Sequence, residues 1–143
     1  MKAIIFDFNR TLFDPESDKL IDGCKDVLRA LSKDRTLVLI SNAADSREDL
    51  IHKLGIGDFF KKIILTKQKN KNDFISICQS LSISPSEVMV VGDRVKGEIS
   101  IGNSLGMTTV QFLNGIFANE LPSDEMEKPK IIITNLKELL KYG

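Results

Sequence analysis

Six short strand-like runs punctuate this chain, and the residues between them repeat with a helical period. The runs are AIIF at 3–6, TLVLI at 36–40, KIIL at 62–65, VMVV at 88–91, TTVQFL at 108–113 and IIIT at 131–134. A strand with one wet face alternates apolar and polar residues, whereas runs such as AIIF and VMVV have no polar gap. That pattern belongs to strands covered on both faces. The intervening stretches carry apolar residues at helical spacing: Cys24, Val27, Leu28 and Leu31, then Leu50, Ile51 and Leu54, then Phe74, Ile77, Cys78 and Leu81. Further helices are predicted at about 95–105, closed by Gly106, and over the final NLKELLKY. Asp22 is a candidate N-cap, Ser46 opens a capping-box-like start, and Gly55 can close that helix. Strand–helix alternation predicts an α/β fold, three-layered and Rossmann-like, with a mostly parallel sheet of about five to six strands joined by right-handed crossovers. The stretch 114–130, with Pro122, Pro129 and an acidic cluster, reads as an exposed loop with one helical turn.

The chain has 143 residues, the size of one domain at about 150 residues each. Twenty Lys and Arg balance twenty Asp and Glu. A zero net charge argues against nucleic acid or an anionic membrane surface as partner, because both call for a basic excess. Cys24 and Cys78 lie far apart without metal-ligand spacing and read as reduced core thiols. The apolar start is too short for a signal-peptide core, and no run could span a membrane, so a cytoplasmic location is expected. His52, the only histidine, falls on a helix between Ile51 and Lys53 and is read as idle.

In parallel α/β sheets, ligands bind outside the carboxyl ends of the strands. The residues just beyond those ends are Asp7 and Asn9, Ser41 and Asn42, Lys67 or Lys69, and Asp93. Two carboxylates converging on one sheet edge repel each other and call for a cation, and an all-oxygen donor set selects Mg²⁺ over zinc. A hydroxyl and an ammonium beside them suit a phosphoryl group.

At these positions the sequence resembles the haloacid dehalogenase (HAD) superfamily of phosphohydrolases. Its first motif, commonly D-x-D-G-T, is matched by Asp7-Phe8-Asn9-Arg10-Thr11 in all but two places. Ser41-Asn42 matches the second motif. Gly92-Asp93 with Glu98 matches the fourth, and Gly102 to Met107 matches its G-x-x-x-G-M sequel. The resemblance implies that Asp7 is the nucleophile that forms an aspartyl-phosphate. It implies Asp7, Asp93 and the backbone carbonyl of Asn9 as Mg²⁺ ligands, and Ser41, Asn42 and a lysine as phosphate-binding groups. Lys69, five residues before Phe74, is preferred as that lysine over Lys67, seven before. Glu98 would orient a water on the metal, and Thr11 would support the nucleophile.

The departures also carry information. Asn9 stands where the family's phosphatases have the Asp that protonates the leaving group and later activates water. An amide cannot shuttle a proton, and losing a general acid/base costs roughly 10²–10⁴-fold in rate. Arg10 stands where glycine is usual and brings charge to the site mouth, or reflects a different turn. The motifs also consume the chain, which implies a single HAD-like domain over 1–143 without a cap insertion. An open site favours a bulky phosphorylated substrate, a partner chain as lid, or weak activity, and a homo-oligomer is compatible with it.

The leading expectation is a Mg²⁺-dependent phosphatase acting on a small or bulky phosphorylated substrate, slowed by Asn9. The alternative is a catalytically impaired relative that binds a phospho-ligand or a protein. A response-regulator receiver domain is disfavoured, since that family wants its acceptor Asp at the end of the third strand. Here that strand ends Leu65-Thr66-Lys67.

Overall fold

The computed structural model describes residues 1–142. The elements are β1 (Ala3–Phe6), β2 (Phe13–Asp14), β3 (Lys19–Leu20), α1 (Cys24–Leu31), β4 (Thr36–Asn42) and α2 (Arg47–Lys53). They continue with β5 (Lys62–Thr66), α3 (Lys71–Leu81), β6 (Val88–Gly92), α4 (Ser100–Leu105), β7 (Thr108–Phe112) and β8 (Ile131–Ile133). The main sheet has the order β5-β4-β1-β6-β7-β8, and every pairing in it is parallel. β2 and β3 form a separate antiparallel hairpin directly after β1.

The apolar runs follow from the layering. Successive strand residues point to opposite faces, and both faces here are covered. Ile4 and Phe6, Leu37 and Leu39, and Met89 and Val91 enter one core with Val27, Leu28 and Leu31 of α1 and Ile51 of α2. Ala3 and Ile5, Val38 and Ile40, and Val88 and Val90 enter the other with Phe74, Ile77 and Cys78 of α3. Each fully buried aliphatic side chain is worth about 1.5–3 kcal/mol over its exposed state, so β1, all four residues buried, anchors the sheet at its centre. Cys24 and Cys78 are free and buried in opposite cores, and His52 is exposed.

Several local expectations are corrected. α1 is preceded by Gly23 at φ 79°, ψ 0° rather than capped by Asp22; this left-handed backbone is cheap only for glycine. Ser46 also lies at φ 62° and makes no capping bond, whereas Asn70 and Asp73 form a reciprocal capping box on α3. The helix expected over 95–105 is broken: Gly97, at φ −111° and ψ −110°, interrupts a wide turn over Val95–Ile99 before α4 begins. The final segment is a tight 3₁₀ turn, Leu136–Lys141.

The stretch 114–130 holds two short turns, Gly115–Phe117 and Glu125–Glu127, and it is tethered rather than loose. Glu120 accepts from Arg94 (3.0 Å) and from the Val95 amide (2.9 Å). The Asn103 amide donates to the carbonyls of Met126 and Lys128, both at 2.7 Å. Tethers between residues more than twenty apart leave no trace in local periodicity.

Candidate active site

Because β5, β4, β1 and β6 are neighbours in that order, their carboxyl ends bring distant residues together. Asp7 follows β1, Ser41 and Asn42 close β4, Lys69 lies three residues beyond β5, and Asp93 follows β6. The Asp7 amide extends the ladder by donating to the Val91 carbonyl at 3.0 Å. The chain then coils tightly: the amides of Thr11, Leu12 and Phe13 all donate to the Phe8 carbonyl, at 3.3, 2.9 and 3.0 Å. Inside this turn Arg10 takes φ 62°, a left-handed conformation costing a non-glycine residue roughly 1–2 kcal/mol. Glycine's usual place in the resembling motif is therefore explained by the backbone, and Arg10 adopts the same turn at a cost. Its guanidinium donates through Nε (3.1 Å) and Nη2 (2.9 Å) to Glu16.

Asp7, Asn9, Arg10, Ser41, Asn42, Lys69, Asp93, Arg94, Glu98 and Phe117 line one cleft of about 230 Å³. Thr11, fully buried, donates to Asp7 Oδ2 at 3.5 Å, a long contact. Of the two candidate lysines, Lys69 donates to Asp7 Oδ1 and, at 2.5 Å, to Glu98 Oε1. Lys67 is exposed and outside the cleft lining, because it precedes the turn that brings the chain back to the sheet edge. A larger hollow of about 420 Å³ lies between the β2–β3 hairpin and the ends of β7 and β8; it holds no residue of the acidic cluster.

The cluster is strongly acidic for its burial. One carboxylate oxygen from each of Asp7, Asp93 and Glu98 lies within 4.8 Å of the others, and all three residues are buried. Burial, and then the Asp7 charge, push the Asp93 carboxyl up to about 8. The same two causes raise Glu98, while Lys69 works in the other direction. Burial opposes the charge on Lys69, but Asp7 and Glu98 outweigh it and hold the ammonium above its ordinary range. Glu98 thus lies within the cluster itself. It gets there because residue 92 is glycine: a Cβ at that position would stand 2.8 Å from Glu98 Oε2.

These residues fit a hard divalent cation. Asp93 Oδ2 and Glu98 Oε2 are buried without a hydrogen-bond partner, and such atoms cost free energy until something pairs with them. One ammonium among three carboxylates leaves a charge deficit, and every donor is oxygen, the set that suits Mg²⁺.

Arg94 and Phe117 in the cleft lining, and Arg47 bonded to Ser41 from outside it, did not stand out in the sequence as site residues. Arg47, the first residue of α2, donates from Nη1 to Ser41 Oγ at 3.1 Å and lies 4.7 Å from the centre of the Phe8 ring. Phe117 takes Arg94 at 4.1 Å and Arg10 at 5.3 Å against its ring. The topology offered one signal: in a parallel sheet, each helix after a strand begins at the ligand-binding edge. That rule singles out Arg47 and Arg94, although spacing alone does not.

A family model described as HAD-hydrolase-like matches residues 70–139. The chain is 26% identical over 113 residues to a glyceraldehyde 3-phosphate phosphatase of Methanopyrus kandleri, covering 71% of this chain and 48% of the relative. It is 27% identical over 128 residues to the enzyme of that name from Pyrococcus furiosus, covering 85% and 53%. The chain therefore spans about half the length of the curated relatives it matches. Among solved structures, a HAD phosphatase from Thermococcus onnurineus superposes with a TM-score of 0.81 at 16% identity, covering 99% of this chain and 97% of that one.

Proposed function

This chain belongs to the haloacid dehalogenase superfamily, and on that premise we propose that it is a Mg²⁺-dependent phosphatase working through an aspartyl-phosphate on Asp7. The observation that carries the proposal is the meeting of Asp7, Ser41, Lys69, Asp93 and Glu98 in one cleft at the sheet's carboxyl edge. When bound, Mg²⁺ supplies Lewis-acid polarisation of the phosphoryl group and neutralises the carboxylates; Asp7, Asp93 and the Asn9 carbonyl would hold it, with Glu98 close by. An Asp7 carboxylate oxygen forms the new bond to phosphorus as the bond to the leaving oxygen breaks, and the electron pair departs with that oxygen. Ser41 Oγ and the Asn42 amide bind the transferring oxygens. Lys69 holds Asp7 in place and offsets charge.

Water then attacks phosphorus, restoring Asp7 and releasing phosphate. Asn9 cannot give a proton in the first step or accept one in the second, so both draw on solvent. The enzyme is therefore slow and favours good leaving groups such as aryl and acyl phosphates. Between β1 and β4 stand only the β2–β3 hairpin and α1, and between β4 and β5 only α2 and a short turn. This supports a single domain without a cap, open to small or bulky phosphorylated substrates. No helix among the described residues is long and apolar enough to cross a membrane, and a cytoplasmic location stays part of the proposal.

The test is hydrolysis of p-nitrophenyl phosphate with Mg²⁺ by this protein and by Asn9→Asp and Asp7→Asn variants. Asn9→Asp should raise turnover by roughly 10²–10⁴-fold, and Asp7→Asn should abolish it and prevent a beryllofluoride adduct. Unchanged activity in Asp7→Asn would remove the nucleophile assignment. The presence of Asn9 also favours a second reading, a phospho-ligand binder. Phosphate binding without turnover of even an acyl phosphate would select it.

A further inference from the structure

We propose that Arg47 is a positioning residue that commits the Ser41 hydroxyl to an incoming phosphoryl oxygen. The inference rests on the reading of Ser41 as a phosphoryl-binding group. Arg10 is paired with Glu16, and Arg94 with Glu120. Arg47 makes no ion pair among the described residues; its partners are Ser41 Oγ and the Phe8 ring. Phe8 is fully buried and adjoins Asp7 in sequence, so the ring fixes the guanidinium close to the cleft. Burial lowers the pKa of Arg47, and the Asp7 carboxylate acts against that lowering, which places Arg47 within the nucleophile's field.

The hydroxyl's own donor and acceptor capacity points the same way. Serine offers one proton and two lone pairs. Arg47 occupies a lone pair at 3.1 Å, so the proton has to point elsewhere. Its acceptor in the structure is the Asn42 carbonyl at 3.3 Å, well beyond the usual 2.7–2.8 Å for such a bond. A weakly used donor, oriented by a neighbouring cation, is ready for a better acceptor, and an anionic oxygen is one. Arg47 therefore acts through Ser41 rather than by replacing it. A lysine there would keep the charge and one donor but lose the planar guanidinium that lies against Phe8.

The experiment measures inorganic phosphate affinity, with Mg²⁺ present, for the intact chain and for Arg47→Lys, Arg47→Met, Ser41→Ala and the Arg47→Met/Ser41→Ala double variant. Thermal melts run alongside, and Arg47 is only half-buried, so folding should persist. Arg47→Met should weaken phosphate binding roughly ten- to hundredfold, the range for a charge-assisted hydrogen bond, and Arg47→Lys should recover part of it. In the Ser41→Ala background the same substitution should cost much less, because its route of action has gone. Unchanged affinity in Arg47→Met, or an equal loss with and without Ser41, overturns the proposal. Failure of the intact chain to bind phosphate overturns the phosphatase reading itself, and this inference falls with it.

Discussion

Replacing Lys69 by methionine tests the electrostatic reading of the cleft directly. The substitution keeps a long unbranched side chain while removing the only ammonium among the described residues in contact with Asp7 and Glu98. The three side chains are 10%, 8% and 7% exposed, so solvent gives little screening. Removing one partner of a buried pair leaves an uncompensated charge and costs about 3–5 kcal/mol. For a domain of this size, 1 kcal/mol moves the melting temperature by about 3 °C, so the metal-free variant should melt roughly 9–15 °C lower near pH 8. A divalent cation replaces the missing charge and acts only on the folded state. Mg²⁺ should therefore bind the variant more tightly than the parent and recover most of the loss. The assay is a set of thermal melts, in EDTA and across a Mg²⁺ titration. A metal-free loss below about 3 °C, or a loss that Mg²⁺ leaves untouched, would refute the view of Lys69 as counter-charge to the cluster.

The same cluster predicts how the metal-free parent responds to pH. The Asp93 carboxyl is raised from 3.8 to about 8, so the fold prefers it protonated. Its contribution is complete below about pH 4 and disappears as the pH climbs through 8; melts in EDTA should fall across that window, and Mg²⁺ should flatten the fall. A profile rising with pH over the same range would contradict the assignment. Gly102→Ala should destabilise by about 1–3 kcal/mol, because the new Cβ would stand 2.8 Å from Thr109 Cγ2 and 3.2 Å from Val90 Cγ2; denaturant unfolding measures it. Cys24, 1% exposed with burial pushing its thiol up to about 12, should react with a thiol reagent only upon unfolding, as absorbance will show.

Much of this architecture is legible in the runs themselves. AIIF and VMVV have no polar gap because β1 and β6 lie between two cores. Asp7, Ser41 and Asp93 could be picked out because strand ends in a parallel sheet share one edge. The hairpin β2–β3 was not legible, since two residues per strand are too few for any period. The break at Gly97 looked helical because the flanking Val95 and Ile99 are both buried and hold a helical spacing. Phe117 and Glu120 fall in a stretch rich in proline and acid, and tertiary tethers to Arg10, Arg94 and Val95 give them their place. Lys69 and Lys67 differ by two positions along one lysine-rich loop, so which one turns inward depends on the path after Thr66.

The strand order also dictates when the cleft can come into being. β1 pairs with β4 on one side and with β6 on the other, Ala3 lying beside Thr36 and Val88. A chain emerging from the ribosome can form the first pairing once Thr36–Asn42 is made, but the second must wait for Val88–Gly92. Asp7 therefore spends that interval without Asp93 or Glu98 as neighbours. Its carboxylate has a free, solvated life before it meets the other two. Closing so long a loop is also slow. Docking of β6 is thus both the late step of sheet assembly and the moment at which three carboxyl groups are forced together. A cation available at that moment would help the last strand into place, so metal supply could set the speed of maturation as well as the chemistry that follows it.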